Sequence, residues 1–550
     1  MNYKETYELW KNNPCLDPAL RQELTGLTDD HEIRERFGSE LEFGTAGLRG
    51  IMGAGTNRVN QYTIRKATRG FAEYLLKEAG PCAAEQGVAI AYDVRHQSKE
   101  FAREAALVLC AAGIKTWLFD CLSPTPLLSF TVRYLGCAGG IVITASHNTK
   151  EYNGYKVYDP TGCQMPPAAS AVVTQYIEAV TDIFQIPAAE LSSPYLHSIG
   201  EKESRAFLQA VLQCSCWDNP AAKERLKVVY SPLHGAGKEL VTETLRQAGF
   251  SQTELVKSQA EPDGDFPTVE SPNPGEGHAL KLAMEQGQLA GADLVFATDP
   301  DSDRIGAAVS HQGEFQLIDG NQMGLLLFDF LSRQKAGAEG STLIKSIVTG
   351  ELVSKVAAAR KINVAETLTG FRNIGAKMNA LDHVIFAYEE SYGYLVGGHA
   401  RDKDAVSAAM VICEMAAYYK EQGKTCIDAL QDLYREFGYW TDIQQPYIFE
   451  GMEGKLQIKN IMKQFRGSTL RTEPVTEIRD YKNGYQDYPK EDVLKYLFRD
   501  GSWFALRPSG TEPKLKTYYS IKSENPETAR ERWRKIHQTV EEQIRACSGG

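Results

Sequence analysis

The stretch Gly139-Gly140-Ile141-Val142-Ile143-Thr144-Ala145-Ser146-His147-Asn148-Thr149-Lys150 changes character in its middle. Small and branched apolar residues up to Ile143 predict a buried strand. Thr-Ala-Ser-His-Asn then breaks it with small polar groups. In open α/β sheets, ligands gather at the carboxyl ends of strands. Ser146 is therefore either part of an ordinary polar turn or a hydroxyl held out for chemistry. A serine hydroxyl is a weak nucleophile unless it is activated or the transferring group is itself reactive. His147, Asn148, Lys150 and, further on, Lys156 would suit a phosphate, whose transfer needs charge neutralisation and alignment above all.

Outward from this stretch, strand and helix patterns alternate. Gly87–Tyr92 predicts a buried strand, Phe101–Ala112 a helix and Ile114–Phe119 another strand. The alternation returns at Leu226–Tyr230, followed by a helix over Glu239–Ala248, and again at His383–Tyr388, followed by a loop and a helix from Ala405. This predicts α/β layers with mainly parallel strands. The last hundred residues differ: a strand–loop–strand over Trp503–Ile521 precedes a charged amphipathic helix over Pro526–Ala546, the pattern of a smaller α+β domain. The polar and proline-bearing stretches Ile186–Gly200, Gln312–Gly320 and Gln444–Pro446 are candidate boundaries. They suggest units at 1–205, 206–318, 319–445 and 446–550, in keeping with the roughly 100–200 residues of an ordinary domain.

Bulk properties narrow the function. The 550 residues carry a net charge of -11 and no long basic run, which argues against a general nucleic-acid or anionic-membrane surface. The eleven cysteines show no disulfide framework and no CxxC pair, and the Cys214/Cys216 pair lacks a second ligand cluster. The N-terminus reads as a polar helix, not a signal peptide. The apolar run Val406–Tyr419 is interrupted by Glu414 and reads as a buried helix, not a membrane span. A cytoplasmic protein is expected.

Three further loops carry chemistry. Asp299-Pro300-Asp301-Ser302-Asp303-Arg304 follows the apolar run Leu294-Val295-Phe296. Carboxylates at i, i+2 and i+4 are costly to crowd without a cation, and hard oxygen ligands suit Mg²⁺. A solvated acidic turn and a calcium loop are the alternatives, although the glycine and distal glutamate of an EF-hand are missing. Glu389-Glu390-Ser391-Tyr392-Gly393, at another strand end, suits sugar hydroxyls. Arg507-Pro508-Ser509-Gly510-Thr511-Glu512-Pro513-Lys514 offers an arginine, hydroxyls and exposed backbone, a plausible phosphate cradle. Together the four loops supply a phosphoryl acceptor, a metal site, a sugar reader and a phosphate anchor.

TASHN, DPDSDR, EESYG and RPSGTEP, in this order, resemble the four signature loops of the α-D-phosphohexomutase superfamily, and the resemblance covers nearly the whole chain. Glu42-Phe43-Gly44-Thr45-Ala46-Gly47-Leu48-Arg49-Gly50 and the run Ser509–Lys516 most resemble the group that joins bacterial phosphoglucomutases to phosphoglucomutase-2 and the phosphopentomutases. The resemblance implies three related α/β domains and a smaller α+β domain around a central cleft. It implies interconversion of glucose 1-phosphate and glucose 6-phosphate through phosphorylated Ser146 and a glucose 1,6-bisphosphate intermediate. Asp299, Asp301 and Asp303 match Mg²⁺ ligands, with an oxygen on Ser146 completing the set. Arg49 and Arg304 match arginines near the transferring phosphate, and Lys156 a lysine for proton transfer or charge support. His147 is grouped with Ser146, and Lys403 resembles an acid/base lysine. Thr369, Gly370, Glu389 and Ser391 match the sugar side, and Arg507, Ser509, Gly510 and Thr511 the distal phosphate cradle.

The departures bear on the sugar. Phosphomannomutases tend to have GEMSGH where this chain has YEESYG, with Tyr388 in place of the usual glycine, which disfavours mannose. Ribose 1-phosphate stays open through the phosphopentomutase kinship. A phosphatase and a non-catalytic sugar-phosphate sensor are the rival classes. The expected partner is a small phosphosugar, with no nucleic acid or membrane, and the chain is expected to be a monomer or a dimer.

Overall fold

The apolar run at Gly139–Ile143 forms a strand buried along its full length, because flanking strands and helices cover both of its faces. It belongs to a six-stranded sheet made of β1 (Leu48–Ile51), β2 (Val88–Tyr92), β3 (Thr116–Phe119), β4 (Gly139–Ile143), β5 (Tyr152–Tyr158) and β6 (Leu196–Ile199), in the order β1-β5-β4-β2-β3-β6. This computed structural model describes residues 2–44, 47–449, 451–467, 473–509 and 514–548. A second sheet holds β7 (Val228–Ser231), β8 (Thr253–Leu255), β9 (Leu294–Thr298), β10 (Ile305–His311) and β11 (Glu314–Ile318), ordered β11-β10-β9-β7-β8. The third, β13-β12-β14-β15, is built from β12 (Thr342–Ser346), β13 (Asn363–Thr367), β14 (Val384–Glu389) and β15 (Gly393–Val396). The fourth, β16-β20-β19-β18-β17, comprises β16 (Tyr439–Ile448), β17 (Val475–Asp480), β18 (Leu494–Phe498), β19 (Trp503–Pro508) and β20 (Lys514–Ser523).

In the first three sheets, among the described residues, seven strand pairs are parallel and five antiparallel, so the strands are mainly parallel, as expected, with antiparallel additions. Their centres are parallel, as in β2 with β3 and β4, β7 with β8 and β9, and β12 with β13 and β14. Each then gains antiparallel pairs through short returns: β4–β5, β9–β10 and β14–β15. These three returns carry the chemistry-bearing loops. Burial on both faces hides pairing direction in an apolar pattern, so these antiparallel returns could not be read beside the parallel centres. The fourth sheet is antiparallel throughout.

Each stretch expected as a boundary contains a strand at the edge of a sheet: β6 in Ile186–Gly200, β11 in Gln312–Gly320, and part of β16 in Gln444–Pro446. Edge strands are where proline and charge are tolerated, so they read as linkers in a composition scan. The helix Ala405–Glu421 is buried on nearly all sides, and Glu414 within it accepts from Lys223 Nζ at 2.9 Å and from the Cys216 amide at 3.1 Å. No helix among the described residues is long and apolar enough to cross a membrane.

Ahead of the first sheet, the helices Tyr3–Asn12, Pro18–Thr25 and Asp30–Phe37 pack on the helix Gln61–Lys77. Trp10 meets Phe37 and Tyr62 edge-on, both at 5.7 Å between ring centroids. Asn60 caps the long helix, accepting from the Tyr62 and Thr63 amides at 3.1 Å while its side-chain amide holds the Gly53 and Gly55 carbonyls at 2.9 Å. The turn that follows β1 is thereby fixed, and with it the end of the strand that carries Arg49.

Candidate active site

Four strand ends meet over one cleft of about 920 Å³. The loop after β4 brings His147 to its wall with Ser146 buried beneath, and the loop after β9 brings Arg304 to the wall with Asp299, Asp301 and Asp303 buried beneath. The β14–β15 turn brings Glu389 and Ser391, and β19 brings Arg507 and Ser509. Arg49 on β1 and Thr369 and Gly370, ahead of the helix Phe371–Asn379, complete the walls. Gly510 and Thr511 lie outside the described residues.

Ser146 is 2% exposed and adopts a left-handed backbone with φ 50°. Its amide donates to Thr144 Oγ1 at 2.8 Å, the turn chemistry expected of a threonine at a strand end. Its hydroxyl donates to Asp299 Oδ2 at 2.7 Å, and His147 Nδ1 lies 3.2 Å from the same oxygen. Desolvation holds the His147 pKa well below its ordinary value, and the Arg304 and Arg49 charges push the same way. The ring is therefore neutral at pH 7. Arg49 donates to Asn148 Oδ1 at 2.9 Å, which ties β1 to the serine loop.

The three aspartates converge. One carboxylate oxygen from each lies within 4.8 Å of the others, and all three side chains are buried. Asp299 Oδ1 accepts from the Asp303 and Arg304 amides at 3.0 and 2.9 Å. Asp301 Oδ2 accepts from Thr125 Oγ1 and Lys156 Nζ, both at 2.8 Å, and Asp303 Oδ2 pairs with Lys403 Nζ at 3.1 Å. Asp301 Oδ1 and Asp303 Oδ1 are buried with no hydrogen-bond partner. Two orphaned carboxylate oxygens beside a third carboxylate fit a divalent cation. Burial pushes the Asp299 pKa well above the carboxylate range, and the two neighbouring aspartates add to this.

Lys156 and Lys403 sit beneath the cleft, bound to the aspartates, and do not line its wall. Burial alone would lower both, but Asp301 and Asp303 outweigh it at Lys156, as Asp303 and Asp402 do at Lys403, and both stay charged. Asp402 is itself held by Tyr158 OH at 2.7 Å and Gln164 Nε2 at 2.8 Å, both from the first sheet's side. The stem of Lys403 crosses Gly393, where a Cβ would lie 2.1 Å from Lys403 Cδ, so the glycine of EESYG is required by close approach.

On the opposite wall, Glu389 Oε1 accepts from the Gly370 amide at 2.6 Å, and Arg304 donates to the Ser391 carbonyl at 3.3 Å. Desolvation, then Glu390, raises the Glu389 pKa. Arg507 Nε donates to Glu491 Oε1 at 2.9 Å, and Thr369 Oγ1 donates to the same oxygen at 3.2 Å.

The sequence reading missed three groups. Lys516 lines the cleft, and burial pulls its pKa down to about 8, with Glu390 opposing and Arg304 and Arg507 adding to the drop. Strand alternation could have found it, because Lys514 and Lys516 share a face of β20 and both line the cleft. Arg95, just past the end of β2, grips the serine loop from below. Its position at a strand end was a usable signal. Glu491 had none. Cys214 and Cys216 hold no metal geometry: the Cys214 thiol donates to the Val396 carbonyl at 3.2 Å, and the aspartate trio is the one candidate metal cluster among the described residues.

A buried serine seated on one of three converging aspartates, beneath a polar cleft walled by arginines, is the arrangement of a phosphosugar phosphotransferase. The domain models of the phosphoglucomutase/phosphomannomutase family match in order: α/β/α domains I, II and III at residues 40–183, 205–313 and 319–437, and the C-terminal domain at 462–531. The chain belongs to this family, within the α-D-phosphohexomutase superfamily. A phosphoglucomutase of Staphylococcus epidermidis is 38% identical over 535 residues, covering 93% of this chain and 96% of the relative. The phosphoglucomutase parafusin of Paramecium, solved in an open form, superposes with a TM-score of 0.70 at 18% identity, covering 93% of this chain and 96% of that one. N-acetylphosphoglucosamine mutase of Aspergillus fumigatus, in complex with GlcNAc-6P and magnesium, superposes at 0.51 and 12% identity, covering 97% of this chain and 100% of that one. At these identities the two structures speak to the fold.

Proposed function

We infer that the protein is a phosphoglucomutase that interconverts α-D-glucose 1-phosphate and glucose 6-phosphate by way of glucose 1,6-bisphosphate, with Ser146 as the phosphoryl carrier. The observation that carries this reading is the seating of the Ser146 hydroxyl on Asp299 beneath a cleft whose far wall holds Arg507 and Lys516. One end of a sugar phosphate would meet the serine while the other is held by the arginine and lysine. The likeness to staphylococcal phosphoglucomutases favours glucose.

In this reading phosphorylated Ser146 gives its phosphoryl group to the free sugar hydroxyl, and the bisphosphate turns over and returns its other phosphoryl group to Oγ. When Oγ takes a phosphoryl group, its proton has two acceptors in reach, Asp299 Oδ2 and the neutral His147 ring. Lys156 and Lys403, paired with Asp301 and Asp303, support negative charge beneath the transferring group. Arg49 and Arg304 flank the transfer, Glu389 and Ser391 read sugar hydroxyls, and Arg507, Ser509 and Lys516 hold the distal phosphate, with Gly510 and Thr511 assigned to the same cradle. Asp299, Asp301 and Asp303 would hold Mg²⁺, which supplies charge neutralisation at the transferring group. The near-complete burial of Ser146 supports a mutase over a phosphatase, since an unprotected phosphoserine would lose its group to water. A cytoplasmic setting belongs to the same reading, because all cysteines among the described residues are free, which suits a reducing compartment.

The test is a coupled assay with Mg²⁺ that offers glucose 1-phosphate, mannose 1-phosphate and ribose 1-phosphate, each with trace sugar bisphosphate. Fastest turnover of glucose 1-phosphate, primed by bisphosphate and abolished in Ser146→Ala, is expected. Faster ribose turnover overturns the sugar assignment. Free phosphate released without isomerisation overturns the mutase reading.

A further inference from the structure

Arg95 plays no part in the phosphoryl chemistry above, yet its fully buried guanidinium gathers the serine loop around itself. Its Nη2 donates to the Ser146 carbonyl at 2.6 Å and the Asn148 carbonyl at 2.5 Å. Its Nη1 donates to the carbonyls of Thr149 at 2.8 Å and Tyr152 at 3.1 Å. Nε lies 3.3 Å from Asp93 Oδ2, and that oxygen accepts from Thr144 Oγ1 at 2.6 Å. Thr144 Oγ1 in turn accepts the Ser146 amide. Both peptide groups of Ser146 are therefore tied into one network, from the carbonyl through Arg95 and from the amide through Thr144 and Asp93. A left-handed serine persists only where its surroundings over-determine it, and this network does so.

The network reaches the second domain. The Phe266 ring lies over the Arg95 guanidinium with its centroid at 5.1 Å. Next to it, Asp265 takes His96 Nε2 at 3.2 Å and Lys150 Nζ at 3.3 Å, one group from either side of the clamp. The segment that covers Arg95 thus belongs to the same domain as the aspartates that Ser146 must meet.

We propose that Arg95 is a positioning residue for the phosphoryl-carrying serine: it fixes the loop from Thr144 to Tyr152 so that Ser146 Oγ faces Asp299, and Phe266 couples that setting to the docking of the second domain. The inference rests on the assignment of Ser146 as carrier. A lysine cannot take over, because a single ammonium with three donors cannot span four carbonyls arranged around a planar fork.

The experiment uses the full-length enzyme with Mg²⁺ and compares Arg95→Lys, Arg95→Ala and Ser146→Ala for kcat, KM and melting temperature. Displacing a reacting group by about 1 Å costs on the order of 100-fold in rate. Arg95→Lys should lose roughly that much kcat with a much smaller change in the KM for glucose 1-phosphate, since Arg304, Glu389, Arg507 and Lys516 of the cleft wall lie outside the loop it holds. Millimolar guanidinium chloride, but not sodium chloride, should restore part of the kcat of Arg95→Ala in a saturable way. Wild-type kcat in Arg95→Lys overturns the proposal. So does a kcat loss that follows a fallen melting temperature and that guanidinium does not relieve. If Arg95→Ala does not fold, Phe266→Leu carries the test: a loss confined to kcat supports the proposal, and an unchanged kcat overturns it. An active Ser146→Ala refutes the carrier assignment itself, whereas an inactive Ser146→Ala beside a fully active Arg95→Lys refutes only the role of Arg95.

Discussion

Replacing Arg507 by alanine tests the far wall of the cleft. The side chain is 22% exposed, and its Nε is aimed by Glu491, which also accepts from Thr369. Two effects follow from the loss. A charge-assisted contact to the distal phosphate, worth about 1.5–3 kcal/mol, disappears. Glu491 then faces a dianionic substrate without its cation, which adds repulsion. Lys516 and Ser509 remain on the wall and recover part of the loss. The net expectation is about 2 kcal/mol, a roughly thirtyfold fall in kcat/KM for glucose 1-phosphate, seen chiefly as a higher KM. The assay couples glucose 6-phosphate formation to NADPH production. Adding Glu491→Gln to Arg507→Ala should return part of the affinity, because it removes the unpaired carboxylate. Kinetic constants within twofold of wild type in Arg507→Ala would refute the cradle, and a double variant no better than the single one would refute the repulsion.

Enzyme stripped with EDTA should be inactive and should melt at a higher temperature once Mg²⁺ is returned. The gain corresponds to about 2.7 kcal/mol at a hundredfold excess over Kd, and Asp301→Asn should abolish it. His399 should make stability pH-dependent. Burial alone would lower its pKa, but its hydrogen bonds to Asp404 and Cys214 raise it to about 9 from 6.5. That stabilisation is fully present below pH 6.5 and is lost as pH rises through about 9. It amounts to on the order of 3 kcal/mol. The difference between the urea midpoints of the wild type and His399→Gln, measured from pH 6 to 10, should shrink across this window, and a difference that does not change with pH would refute the role of His399.

How much was legible in the sequence depended on distance along the chain. The serine, aspartate, glutamate and arginine loops each follow an apolar run directly, so the strand and its polar end could be read together. Their meeting could not. Ser146 and Asp299 are joined across two domains, and no local period encodes that distance. Lys516 was within reach of strand alternation, and Arg95 within reach of the strand-end rule. Glu491 sits between strands in an irregular segment, where only the folded chain shows that it aims Arg507. The sites of Lys156 and Lys403 were also hidden. In the sequence they read as a phosphate neighbour and an acid/base candidate, whereas the fold pairs them with buried carboxylates. The aspartates sit too deep for water to balance their charge.

This use of the two lysines explains why the sugar loop and the metal loop are difficult to separate. Lys403 comes from the third domain, pairs with Asp303 of the second, and crosses Gly393 of the sugar loop on the way. Arg304 reaches back to the Ser391 carbonyl, and the Ile305 amide donates to the Tyr392 carbonyl at 3.2 Å. A shift of the sugar loop therefore moves the cation that neutralises Asp303, and a shift of the aspartates moves the carbonyls that shape the sugar loop. An enzyme that must hold two different orientations of one bisphosphate needs both ends of its cleft set to a fixed separation. Shared buried ion pairs provide this, because leaving either charge unpaired in the interior costs several kcal/mol. The fourth sheet lacks such a tie to the aspartates. It meets the third domain through the Thr369–Glu491–Arg507 contact, through Lys495, which donates to the Ile347 carbonyl at 2.7 Å, through the Glu351 amide, which donates to Ser520 Oγ at 3.2 Å, and through a buried cluster of Ile347, Val348 and Leu368 with Tyr481, Val493, Trp503 and Tyr518. Any movement of this wall has to slide on that apolar cluster or expose it, and it leaves the buried ion pairs that hold the reacting groups of the first three domains in place.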